Sequence, residues 1–83
     1  MSRTPIHPQQ LAAPVAPSGL TGREREVLAR IAVGMTSKEI AASLGVSLRT
    51  INTHREHLAK KLNTSSVAGM VRYAIEHDVN VEP

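Results

Sequence analysis

The sequence predicts an all-α fold, four short helices behind a disordered, Pro-rich N-terminal segment. Three observations predict it. Apolar residues in the body recur at intervals of three and four, and no run of four or more combines strict apolar/polar alternation with the turn signals that would bound a half-buried strand. Hydroxyl residues stand where these periodic stretches begin, and glycines stand where the first two end. Four of the five prolines, Pro5, Pro8, Pro14 and Pro17, precede Ser18, and the fifth is the terminal Pro83.

Residues 1–19 are rich in Pro, Ala and Gln, have few apolar anchors, and read as a flexible tail or interdomain linker. They lack the long apolar run of a secretory signal, and nothing in the chain approaches membrane-spanning length. The domain is expected over residues 20–83. In L-T-G-R-E-R-E-V-L, Thr21 and Glu24 have capping-box spacing. Val27, Leu28, Ile31 and Ala32 then form an apolar stripe, and Gly34 ends the first helix. Thr36 and Glu39 repeat the device for a two-turn helix with Ile40, Ala41 and Leu44 inward and Gly45 as its stop. Ser47 is placed to cap a third helix over residues 48–62. Ile51, Leu58 and Leu62 make its buried stripe, His54 and Arg55 lie near the stripe's edge, and Arg49, Asn52, Thr53, Glu56 and Lys60 face away. N-T-S-S breaks that helix. Ser65 or Ser66 caps a fourth, whose apolar residues are Val67, Met70, Val71, Ala74 and Ile75.

Eighty-three residues allow one small domain, and Tyr73 is its only Phe, Trp or Tyr. Aliphatic side chains must build the core, near the lower size limit for a stable single domain. The absence of cysteine excludes disulfides and thiolate metal sites and fits a reducing, cytoplasmic setting. His54 and His57 are three apart, but without a third ligand nearby they do not make a zinc site. With no Gly-rich phosphate loop and no convincing acid–base cluster, an enzyme is disfavoured, and no cofactor or small-molecule ligand is expected. The net charge of +3 is unevenly placed. Residues 47–62 alone carry +3, from Arg49, Arg55, Lys60 and Lys61 against Glu56, while residues 63–83 carry −2. The excess positive charge therefore sits on the third helix, which points toward a polyanion.

Helix, Gly-containing turn, helix is the spacing of a helix-turn-helix unit, and its second helix carries the chemically selective face. Residues 20–62, L-T-G-R-E-R-E-V-L through M-T-S-K-E-I-A-A-S-L-G-V-S to T-I-N-T-H-R-E-H-L-A-K-K-L, resemble the LuxR/FixJ-type DNA-binding domain of bacterial transcription regulators, such as the output domains of two-component response regulators. The resemblance implies four helices, a recognition helix in the major groove and dimerisation through the last helix. It also implies an association with the nucleoid when bound. Four residues depart from the family's usual choices: Asn52 where Lys is frequent, Glu56 on the reading face, Val67 where Arg is frequent, and Asp78 near a common Gly.

Taken with the resemblance, Asn52, Thr53 and Glu56 are the expected base contacts. In the major groove Asn can bond adenine in two places, a Thr methyl can touch thymine, and Glu can accept from cytosine. Lys38, Ser47, Arg49, Thr50, Lys60 and Lys61 are the expected phosphate contacts; Ser47 serves equally well as a cap, and Lys60 and Lys61 as a solvated helix end. Val67, Met70, Val71 and Ala74 are the expected dimer surface. The expected partner is double-stranded DNA, bound by a homodimer. The competing reading is a protein-docking module that uses the same helices to contact RNA polymerase or another regulator.

Overall fold

The structure, a computed structural model, describes residues 19–81. The expected disordered segment falls outside them except for Gly19, as do Glu82 and Pro83. Four helices follow one another: α1 Gly22–Ala32, α2 Ser37–Leu44, α3 Leu48–Leu62 and α4 Val67–Glu76. No strand occurs among the described residues.

The helix starts are set by side-chain hydroxyls. Thr21, Thr36, Ser47 and Ser66 accept hydrogen bonds from the amides of Glu24, Glu39, Thr50 and Gly69, at 2.9–3.1 Å. Glu24 and Glu39 accept in return from the amides of Thr21 and Thr36, completing both capping boxes. Each such cap stabilises its helix by about 1 kcal/mol. Of the two serines before α4, Ser66 is the cap.

The helix ends share a second device. Gly34, Gly45, Asn63 and Asp78 all have positive φ. Their amides bond back to Ile31, Ala42, Lys60 and Ile75, and the amides one residue on bond to Arg30, Ala41, Ala59 and Ala74. This paired closure satisfies carbonyls that the last helical turn would leave without partners. Asn63 and Asp78 adopt a backbone that favours glycine, and their short polar side chains tolerate it. Asp78 Oδ1 also accepts from Asn80 Nδ2 at 3.0 Å.

Helix α1 packs against each of the other three. Leu28, Ile31, Ile40, Ile51 and Leu58 are fully buried at the centre. Tyr73 joins them from α4, stacked on His77 with ring centroids 4.2 Å apart. Burial pushes its phenol above the usual range. At the α1–α2 junction Arg30 Nε donates to Ser43 Oγ at 3.2 Å, and Ser43 Oγ donates to the Ile40 carbonyl at 2.9 Å.

Two glycine substitutions should move stability in opposite directions. A Cβ would meet nothing at Gly22 or Gly45, but Gly45 has φ 70° while Gly22 lies inside α1. Gly45→Ala should lose about 1 kcal/mol through backbone strain. Gly22→Ala should gain about 0.5 kcal/mol through a less flexible unfolded chain. Thermal melts followed by circular dichroism measure both; the first loss corresponds to a midpoint roughly 4–8 °C lower.

Candidate nucleic-acid interface

Residues 45–47 carry the chain from α2 into α3 in one tight turn. Gly45 supplies the reversal, Val46 is half-buried against the core, and Ser47 caps α3. Ser47 Oγ also lies 2.9 Å from Thr50 Oγ1, so the two hydroxyls close the first turn together. Both expected phosphate contacts thus have a structural job as well.

The period of α3 divides its surface. Ile51, Leu58 and Leu62 are buried, whereas Arg49, Asn52, Thr53, Glu56 and Lys60 are exposed. Among the described residues, no side-chain hydrogen bond or ion pair engages those five. Leu48, the first residue of the helix, is also exposed, at 46%. Lys38 is exposed in the first turn of α2, beside amides at the positive end of that helix. The amino end of α2 with Lys38 and the amino end of α3 with Arg49 each offer a position that favours an anion.

Lys61 is placed differently from the expected phosphate contact. Its ammonium turns toward α1, donating to Glu24 Oε1 at 2.7 Å and to the Gly19 carbonyl at 3.3 Å. Glu24 is the one buried charged residue among those described, 3% exposed, and His57 Nδ1 lies 3.7 Å from its other oxygen. Burial by itself would raise the Glu24 pKa. The bond from Lys61, the Thr21 amide, and the charges of Lys61 and His57 outweigh that and hold the carboxyl below its ordinary value of 4.5. Capping-box spacing identifies Glu24 as a helix-start residue but gives no sign of this ion pair with a residue 37 positions away.

His54 is half-buried, and its buried Nδ1 has no hydrogen-bond partner. His57 is exposed and faces Glu24, so the two imidazoles have different neighbours. Among the described residues no group of three or more His, Cys, Asp or Glu side chains is placed to hold a metal. No described helix is long and apolar enough to cross a membrane.

The family model described as bacterial regulatory proteins, luxR family, matches residues 18–74. The chain belongs to the luxR family. It is 47% identical over 60 residues to the transcriptional regulatory protein MctR of Rhizobium johnstonii, covering 72% of this chain and 28% of that protein. It is 49% identical over 67 residues to the "Probable transcriptional regulatory protein NarL" of Mycobacterium tuberculosis, covering 81% and 31%. It is 47% identical over 53 residues to the transcriptional regulatory protein UhpA of Escherichia coli, covering 64% and 27%. The matched segment thus spans less than a third of the length of each relative.

In this luxR-family domain the expected dimer strip divides in two. Met70 and Ala74 are 2% and 1% exposed, because the α4 face that bears them packs on α1, so they belong to the core rather than to a free surface. Val67 is exposed and Val71 half-buried. Ile75, outside the expected strip, is 73% exposed and shares an open apolar groove with Ala32, Val33 and Val79.

The Glu24 cluster sets a pH dependence. A carboxyl whose pKa is lowered by folding contributes stability above about 4.5, and loses it as pH falls through the folded-state value. Glu24→Gln should therefore cost about 2 kcal/mol at pH 7. The gap between variant and wild type should narrow steadily below pH 4.5, as read from urea midpoints at a series of pH values. A gap independent of pH would show that the carboxylate charge is not what stabilises the site.

Proposed function

We propose that this chain binds double-stranded DNA sequence-specifically and thereby regulates bacterial transcription, with α3 in the major groove. One observation carries the reading: α3 is anchored by Ile51, Leu58 and Leu62 while Arg49, Asn52, Thr53 and Glu56 stand exposed and unengaged on its other side. A helix presenting a polar, rigidly held face at the end of a tight turn suits the docking of helix-turn-helix proteins. Residues 20–83 form the binding unit in this reading, and residues 1–19 lead into it.

Phosphate contacts come from Lys38, Arg49 and Lys60, with Ser47 and Thr50 hydroxyls at the amino end of α3. Lys61 is left out, because Glu24 already neutralises it. Asn52 bonds an adenine edge and Thr53 touches a thymine methyl. Glu56 repels phosphate and accepts from a cytosine amino group, so it discriminates more than it attracts. Two subunits meet through the outer flank of α4, the exposed Val67 and Ile75 with the half-buried Val71 between them, and read half-sites about one helical turn apart. Docking on RNA polymerase or a partner regulator is the alternative use of that flank.

Binding to a duplex selected from a random pool tests this. Asn52→Ala should cost about 1–3 kcal/mol and relax one base position. Lys38→Ala should weaken all sequences alike and flatten the salt dependence by about one unit of slope. With three cations on phosphates, log K should fall against log salt with a slope of about −2.7 per subunit. Lys61→Met should leave that slope unchanged while lowering stability. Affinity indifferent to both Asn52→Ala and Lys38→Ala would favour the protein-docking module instead. Ile75→Asp should weaken binding to paired half-sites far more than to a single half-site, as titration of both duplexes would measure.

A further inference from the structure

We propose that Leu48 is a further specificity residue, reading the 5-methyl group of a thymine within two base pairs of the one contacted by Asn52; this rests on the major-groove placement of α3. Five large apolar side chains are exposed among the described residues. Val33, Val67, Ile75 and Val81 belong to the α1 end, α4 and the segment after it. Leu48 is the one on the α2–α3 side, isolated between Ser47 and Arg49.

Nothing in the helix itself asks for leucine there. The start of α3 is satisfied by the Ser47 cap and its bond to Thr50, and the positive end of a helix favours acidic or small polar residues at its first positions. The side chain is not part of the buried core. Its placement suits a ligand. Helical Cβ atoms tilt toward the amino end, so residue 48 leads α3 into whatever the helix enters. The first residues of a helix-turn-helix reading helix meet base edges. On those edges in the major groove the thymine C5-methyl is the apolar group available to an isobutyl side chain. Asn52 lies one helical turn further on the same flank. Four residues advance about 6 Å along the axis, close to two base steps of about 3.4 Å. Leu48 and Asn52 together would read a thymine and an adenine within two base pairs of each other.

The test uses the full chain and the duplex it selects from a random pool, with each thymine replaced singly by deoxyuridine, which lacks only the methyl. Wild type should lose about four-fold in affinity at a thymine other than the one touched by Thr53, whose own penalty Thr53→Ala removes; that loss is the effect of uncovering one methyl group. Leu48→Ala should bind the unmodified duplex about four-fold more weakly. That variant should then be indifferent to deoxyuridine at the same position, whereas Asn52→Ala should keep the deoxyuridine penalty. Because the base exchange is made with unaltered protein, a folding defect in a variant does not enter that arm. If no thymine beyond the one assigned to Thr53 is sensitive in wild type, or if Leu48→Ala keeps every penalty, the proposal is overturned while the groove reading stands. If wild type selects no sequence at all, the groove reading itself fails and Leu48 with it.

Discussion

Short helices have proportionately many ends, and the need to satisfy those ends governs this molecule. With eight to fifteen residues each, the four helices leave a large share of their amides and carbonyls outside the internal ladder. Every start is closed by a hydroxyl and every end by a left-handed residue and two returning bonds. The residue after each left-handed position is turned back toward the domain, and at three of the four ends it is apolar. Met35 and Val46 pack half-buried on the core and Val79 is buried within it. Connections can then be only a few residues long, and the aliphatic core closes without aromatic bulk beyond Tyr73.

That economy of connection is what makes α3 useful. Because residues 45–47 turn so sharply, the start of α3 is fixed relative to α2, and the rotation of α3 is fixed by Ile51, Leu58 and Leu62. Its polar side has no freedom to rotate inward. Glu24 and Lys61 hold the other end, joining the start of α1 to the last turn of α3 across the molecule. An ion pair so placed contributes less through raw attraction than through the penalty for leaving a buried carboxylate alone. It ties together two helices that also share apolar contacts.

The local features were legible in the residues and the long-range ones were not. Thr21 with Glu24, Thr36 with Glu39, and the glycines after α1 and α2 act within one helical turn, so their spacing reveals them. The two faces of α3 follow from its period for the same reason. Asn63 stands at the head of the N-T-S-S break and is legible for that reason, whereas Asp78 is harder to see as a terminator, because glycine is the usual signal and it reaches the same backbone by tolerance. Glu24–Lys61 and Arg30–Ser43 each join residues from different helices, whose meeting depends on packing angles that no local pattern encodes. The expected α4 surface was divided for a related reason, with Met70 and Ala74 inside and Val67 outside. Its apolar arc is wide enough to include Met70, Ala74, Val67 and Ile75, and only the rotation of α4 on α1 decides which pair is inside. The family resemblance covered the fold but could not say which lysine at the end of α3 is taken up by Glu24.

Tyr73 gives the domain an unusual optical simplicity. With no tryptophan or phenylalanine and a single tyrosine, near-ultraviolet emission and dichroism originate at one ring, sandwiched between the core and His77. A change in that light reports the seating of α4 on α1 and little else. Nucleic acid absorbs in the same band, but the chromophore sits on a helix other than the one carrying the polar face. Any quenching on association would therefore speak of a rearrangement passed through the interior rather than of direct stacking on a base.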